Sequence, residues 1–173
     1  QEVDDENGNY DYLMGADLDF GNEETAQEVT SWLYWYINLT KINGLRLDAV
    51  KHIPASFYKN LLPKIYHDFN KELFTVGEYW HGDVYHLENY LKEVNFEMSL
   101  FDVPLHYHFY DASHNENYDF SHIFDQTLVS MYPSNAVTFV DNHDTEPSQS
   151  LASFIPDWFK GHAYCLTLLR KAG

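Results

Sequence analysis

The chain has 173 residues, 45% hydrophobic and 17% aromatic, and a formal net charge of −17 from 27 acidic and 10 basic side chains. That length supports one domain with a sizeable core, and the acidity argues against nucleic acid or an anionic membrane surface as partner. A single cysteine, Cys165, excludes an intrachain disulfide; its apolar surroundings read as a buried helix face and the thiol as a core residue. No signal peptide or membrane-spanning run is visible.

Residues 1–21 are rich in Asp, Asn, Gly and Tyr and read as irregular. Asn22 is a candidate N-cap, followed by Glu23 and Glu24 at the positive end of a helix dipole. Val29, Trp32, Leu33, Tyr36 and Ile37 recur at helical spacing, and Asn43-Gly44 closes that helix. The run Gly44-Leu45-Arg46-Leu47-Asp48 reads as a strand. A second helix is expected from Ser56 to about Asn70, with Phe57, Leu61, Ile65 and Phe69 on one face. Pro63 predicts a kink in it or a split into two short helices. Phe74–Glu78 reads as the second strand, Val84–Lys92 as a helix and Met98–Val103 as a strand. Ser121–Met131 reads as a helix, Ala136–Asp141 as a strand and Asp157–Lys171 as the last helix. Trp32, Trp35 and most phenylalanines read as core.

Strands alternating with helices imply an α/β fold built on a parallel sheet. Three strands end in acids: Asp48, Glu78 and the Asp141-Asn142-His143-Asp144 run. Asp48 and Glu78 are 30 residues apart, and Glu78 and Asp144 are 66 apart. A (β/α)8 barrel spends about 31 residues per βα unit, so the gaps correspond to one unit and two. The acids then share the C-terminal rim where barrel sites form. A doubly wound open sheet is the alternative, but no Gly-rich phosphate loop is present.

Arg46 and Asp48 are two apart and share one strand face. An arginine beside an aspartate favours the ionised form, as a nucleophile requires. Glu78, among apolar and aromatic neighbours, is placed to have a raised pKa, as a general acid requires. Two carboxyls tuned in opposite directions and about 5–5.5 Å apart are the apparatus of a retaining glycosidase. Asp144, beside His143, suits stabilisation of positive charge on a sugar ring. His106 and His108 offer a different reading: a His-x-His pair on one strand face could hold zinc in a metal-dependent hydrolase.

The run Gly44-Leu45-Arg46-Leu47-Asp48-Ala49-Val50-Lys51-His52 resembles the second signature region of the α-amylase family of glycoside hydrolases. Gly77-Glu78-Tyr79-Trp80 resembles the third, and Phe139-Val140-Asp141-Asn142-His143-Asp144 the fourth. Asn7–Met14, Ala16–Asp19, Phe101–Tyr107 and Thr145–Ser150 are similar to the liquefying bacterial members. The resemblance implies part of a (β/α)8 TIM barrel, about strands four to seven, over 22–173. It implies the end of an inserted calcium-binding B domain over 1–21. It implies endo-acting, retaining hydrolysis of α-1,4-glucosidic bonds, with an α-glucan as partner and a monomeric full-length enzyme. Asp48 would be the nucleophile, Glu78 the acid/base and Asp144 the transition-state stabiliser. Arg46, Lys51, His52, His143, Tyr79 and Trp80 would bind substrate or orient the catalytic groups. The family's first signature region has no counterpart, so the 173-residue chain is expected to be inactive by itself. A related α-glucan hydrolase or transglycosylase, and a non-catalytic glucan-binding relative, are the neighbouring readings.

The resemblance also implies calcium, with sodium as a companion ion, held by Asp11, Asp17, Asp19 and the backbone carbonyl of His52. Independently, three Asp within nine residues suit a hard cation with oxygen ligands, and equally a solvated turn. An EF-hand loop from Asp17 is excluded, because Gly21 and Asn22 stand where that loop needs an acidic or amide ligand and a glycine.

Overall fold

The structure is a computed structural model that describes residues 18–71 and 73–170. The expectations that fall on 1–17, including most of the B-domain segment, Asp11 and Asp17, lie outside the described residues. The elements run α1 (Glu23–Thr40), β1 (Gly44–Leu47), α2 (Ala55–Asp68), β2 (Phe74–Gly77), α3 (Val84–Glu93), β3 (Ser99–Phe101), α4 (Val103–His114), α5 (Leu128–Met131), β4 (Ala136–Val137) and α6 (Asp157–Leu168). Two compact units are present: Gln1–Glu78 with Tyr90–Met98, and Tyr79–Asn89 with Ser99–Gly173.

In the first unit Asn22 caps α1 as expected, its side chain accepting the Glu24 N–H at 2.9 Å. The helix ends at Lys41, earlier than the Asn43-Gly44 expectation. Lys41 adopts a left-handed conformation (φ 56°) and donates its N–H to Ile37 O. Leu33 and Ile37 pack inward against Leu61, Ile65 and Leu73, with Tyr34, Leu45, Phe57, Tyr66 and Phe69 around them. Trp32 and Trp35 do not join this core: they are 56% and 57% exposed. Leu33 and Ile37 are four apart and share the inward face, whereas Trp32, Trp35 and Tyr36 lie on an adjoining one. Trp32 stacks on Tyr36 there.

Strands β1 and β2 pair in parallel, Gly44 opposite Phe74 and Leu47 opposite Gly77. A Cβ on Gly44 would stand 2.6 Å from Phe74 O, so only glycine lets the strands approach at this rung. Helix α2 runs unbroken through Pro63, against the expected break. Proline removes one hydrogen bond, to a carbonyl on exposed Lys59 that water can serve. Tyr58, Leu61, Leu62 and Ile65 are all buried and fix the helix from its inner side.

In the second unit β3 and β4 pair in parallel, Leu100 opposite Ala136 and Phe101 opposite Val137. Helix α4 follows β3 directly and was not anticipated, although Asp102 as N-cap with Pro104 in the first turn is a start signal. The buried Asp102 carboxylate accepts N–H groups from Leu105, Leu128 and Val129 at 2.8–3.1 Å, tying the start of α4 to the start of α5. The single helix expected over 121–131 is replaced by a 3-10 turn, Phe120–His122, and the short α5. Gln126, at φ 50°, breaks the helical path, and Thr127 caps a fresh start. The strand expected over 136–141 stops at Val137. Beyond it, side chains replace ladder bonds: Val140 O accepts from His106, and Asp141 accepts the Ile155 N–H. Cys165 is exposed, not core. It sits two residues, about 200° around the helix, from buried Ala163.

Candidate active site

The first unit brings Arg46, Asp48 and Glu78 together. Parallel pairing of β1 with β2 places their C-terminal ends side by side, and the backbone continues the pairing past the strands. Glu78 N–H donates to Leu47 O (2.8 Å), and Val50 N–H donates to Glu78 O (3.0 Å). Arg46 and Asp48 share a face, as the alternation predicted. Arg46 Nη1 lies 2.6 Å from Asp48 Oδ1, and Nη2 lies 3.1 Å from Glu78 Oε2. One guanidinium thus joins both carboxylates, which suits its planar fork.

The two acids differ in surroundings. The Asp48 side chain is 71% exposed and that of Glu78 is 8% exposed. Burial pushes the Glu78 pKa above the ordinary carboxyl value. The Ala49 N–H and the Arg46 charge pull it down, and the negative charge of Asp48 pushes it up; burial prevails. Oε2 of Glu78 accepts from Ala49 N–H at 3.3 Å, whereas buried Oε1 has no hydrogen-bond partner among the described residues. Buried Tyr58, on α2, feels the charge of Asp48. Its hydroxyl pKa is pushed to about 12, first by burial and then by that charge, so it stays a neutral donor. Sequence reasoning missed Tyr58 and Ala49, since neither residue type announces such a role. Lys51 and His52 lie in the 3-10 turn Val50–His52 immediately after the Asp48-Ala49 turn.

The second unit builds the Asp144 loop separately. Asn142 Oδ1 accepts the N–H groups of Asp144 (2.9 Å) and Thr145 (3.0 Å). Asp144 O and Thr145 O accept from Leu151 and Ser153, closing the loop on itself. Asp141 is held by the Ile155 N–H and by Lys160 Nζ at 3.3 Å. His143 is largely exposed, with Nε2 3.3 Å from Asp144 Oδ2. Buried His106 supports the loop from beneath. Its Nδ1–H donates to Val140 O (2.7 Å), and Nε2 meets Ser153 Oγ (2.8 Å). His108 is committed elsewhere, to Ile123 O. These two histidines sit on α4, not on a strand, so two residues of spacing points them about 200° apart. The zinc reading is thereby overturned.

Tyr79 is half-buried. Trp80 donates its indole N–H to Tyr107 OH (2.9 Å) and packs against the rings of His106 and Phe139. Asp19 is exposed and its Oδ1 accepts the N–H of Gly21. Among the described residues no three His, Cys, Asp or Glu side chains gather in a way that would hold a metal.

Parallel strands thus bring an exposed carboxyl, Asp48, and a buried one, Glu78, to one rim under a shared guanidinium, the arrangement of a carboxylate-based hydrolase. Residues 3–163 match the family described as alpha amylase, catalytic domain, and the chain belongs to that family. It is 50% identical to an alpha-amylase of Bacillus licheniformis and 52% identical to one of Geobacillus stearothermophilus, in each case over 99% of this chain and 34% and 32% of the relative. It is 49% identical to a glucan 1,4-alpha-maltohexaosidase of Bacillus sp. strain 707, over 99% of this chain and 33% of that protein. The chain thus spans about one third of the length of these curated relatives. Among solved structures, the alpha-amylase of Geobacillus thermoleovorans in complex with acarbose is similar with a TM-score of 0.62 at 26% identity, over 74% of this chain and 29% of that one. An Anoxybacillus alpha-amylase gives 0.63 at 28%, over 74% and 28%. The parallel strands and helices are part of a (β/α)8 catalytic barrel. Among the described residues no helix is long and apolar enough to cross a membrane.

Proposed function

We propose that the protein carrying this chain hydrolyses α-1,4-glucosidic bonds within starch- or glycogen-type glucans, with retention of configuration. The observation that carries this is the Arg46 guanidinium joining an exposed Asp48 to a buried Glu78. In the first step Asp48 attacks the anomeric carbon while Glu78 gives its proton to the departing glycosidic oxygen. In the second, water attacks the glycosyl-enzyme and gives one of its protons to the Glu78 carboxylate as the bond to Asp48 breaks. Asp144 steadies the oxocarbenium-like charge, and His143 binds sugar hydroxyls. Lys51 and His52 serve the leaving-group side of the cleft, and Tyr79 and Trp80 offer ring faces to the sugar. Residues 1–21 would close the inserted domain and 22–173 would form the barrel segment.

Calcium belongs to this reading on sequence grounds, through Asp11, Asp17, Asp19 and the His52 carbonyl, with sodium as a companion. Bound there, it would supply local charge neutralisation and order. Elemental analysis of the purified protein after dialysis tests it: about one or more calcium per chain supports it, and none refutes it.

The test of the activity uses the full open reading frame that contains this chain, incubated with starch and with maltodextrin. Early loss of glucan chain length with α-anomeric products is expected, abolished by Asp48→Asn. Products of inverted configuration would sink the two-step mechanism. The 173-residue chain by itself is expected to be silent in the same assay.

A further inference from the structure

We propose that Ala49 is a positioning residue for the acid/base: its left-handed backbone turns its N–H onto Glu78 Oε2 and so reserves Oε1 for the transferable proton. This rests on the proposed role of Glu78. Ala49 sits at φ 44°, ψ 46°, a region that residues with a Cβ seldom occupy. Such a conformation persists only where its surroundings over-determine it. Here they do: Leu47 O accepts from Glu78 N–H, Glu78 O accepts from Val50 N–H, and Ala49 O accepts from His52 N–H. The peptide after Ala49 is therefore pinned at both its C=O and its N–H, and the 47–48 peptide is pinned at its carbonyl, two of those bonds running to Glu78 itself.

The consequence falls on one oxygen. Oε2 receives Ala49 N–H at 3.3 Å and Arg46 Nη2 at 3.1 Å. A proton on Oε2 would confront two donors. Oε1 is buried and meets no donor among the described residues, so the neutral acid carries its proton there, shielded from bulk water. Transfer then awaits a substrate oxygen brought against the carboxyl. The O–H bond of Glu78 breaks, the proton joins the glycosidic oxygen, and that oxygen keeps the electron pair of its broken bond to the anomeric carbon. The charged groups facing Glu78 are Arg46 and Asp48. Arg46 acts with the Ala49 N–H on Oε2, and Oε1 meets neither.

The N–H is removed without changing the side chain by placing L-lactic acid at position 49, which turns that amide into an ester. The change is made in the full open reading frame and assayed on maltoheptaose and on a maltooligosyl fluoride, whose leaving group needs little protonation. The expected result is a fall of about fivefold in kcat on maltoheptaose, with KM unchanged. The fluoride should change less than twofold, and the basic limb of the pH profile should move upward, because a donor that favours the ionised carboxylate is gone. An equal fall on both substrates, or no fall on maltoheptaose, overturns the proposal. Glu78→Gln runs in parallel: if it keeps full activity on maltoheptaose, the acid/base assignment itself fails, a result distinct from silence of the ester alone. The native protein offers a second measurement, the infrared difference between it and Glu78→Gln. A carboxylic C=O band shifted as for a carbonyl accepting hydrogen bonds supports the proposal, and a band of a free carbonyl refutes it.

Discussion

Arg46 Nη2 lies 3.1 Å from Oε2 of Glu78, so the acid/base candidate is held by the same side chain that pairs with the nucleophile candidate, Asp48. The pair carries two predictions. The first concerns Arg46 itself. Lysine is a point charge and cannot bond two carboxylates with a planar fork. Arg46→Lys is expected to lower kcat on starch at least about a hundredfold, in line with losing a fixed electrostatic contact at a reacting centre. The Arg46 charge lowers the Glu78 pKa against burial, so removing the charge with Arg46→Ala should move the basic limb of residual activity to higher pH. A limb that moves down, or stays, contradicts the electrostatic assignment.

Glu78 also couples activity to stability. Its folded pKa is raised, burial being the leading cause. The folded state therefore binds this proton more tightly than the unfolded chain. The sign follows from linkage: the contribution of Glu78 to stability is greatest at low pH and declines as pH rises from the ordinary carboxyl value through the raised one. Glu78→Gln stays neutral throughout. Its Tm should match that of the native protein at acid pH and exceed it above the window, while hydrolysis of unactivated glucan is lost. Melting both proteins at pH 4 and pH 8 checks this, and equal Tm differences at the two values would refute it.

The strands β1 and β2 were legible because their signals are local. Alternation put Arg46 and Asp48 on one face, and the spacing from Asp48 to Glu78 fitted one βα unit of a barrel. What was not legible depended on partners far along the chain. The apolar run at 136–141 looks like a strand, yet His106, more than thirty residues earlier, takes the Val140 carbonyl. The spacing of His106 and His108 makes a metal pair only on a strand, and both lie on the helix Val103–His114. Trp32 and Trp35 follow helical periodicity, but periodicity gives an apolar face and not what covers it. The Ala49 N–H carries no signal in the sequence, since any residue but proline supplies one.

His106 makes a prediction about acid sensitivity. Burial holds its imidazole below the ordinary histidine value, opposed by the hydrogen bond to Val140 and the charge of Asp141. A depressed pKa means that the neutral form supports folding. Its contribution is present above the unfolded histidine value and lost as pH falls through the lower folded value. Urea unfolding at pH 7 and pH 5 should show stability falling with acid. His106→Asn should flatten that slope while lowering stability by about 2–4 kcal/mol. An unchanged slope would remove His106 as the titrating group.

Gly44 tests the approach of β1 to β2. A methyl group there meets the carbonyl oxygen of Phe74 at 2.6 Å, and backbone cannot swing aside as a flexible side chain would. Gly44→Ala should destabilise the protein by about 1–3 kcal/mol and reduce activity, because the same register carries Asp48 and Glu78. Its own control is Gly161→Ala: a Cβ there meets nothing within 4 Å, and alanine is the better helix former. That variant should be as stable as the native protein or slightly more so. Equal losses at both positions would show that strand approach is not the cause.

Asp102 is the strongest structural test of the second unit. Its carboxylate is fully buried, and burial pushes its pKa up against three backbone N–H donors that pull it down. Those donors come from two helices, α4 and α5, so the side chain acts as an N-cap for one and a tether for the other. Alanine would strand three buried N–H groups at once. Each unsatisfied buried donor costs about 1–3 kcal/mol before relaxation, and a loss of about 3–5 kcal/mol is expected for Asp102→Ala by urea unfolding. Asn keeps one acceptor oxygen but brings two donors toward the same N–H groups, so Asp102→Asn should lose an intermediate amount, about 1–3 kcal/mol. The order native, Asn, Ala follows from acceptor count alone. If Asn proves as damaging as Ala, the remaining oxygen is not used, and the side chain acts through charge on the helix ends rather than through directed hydrogen bonds.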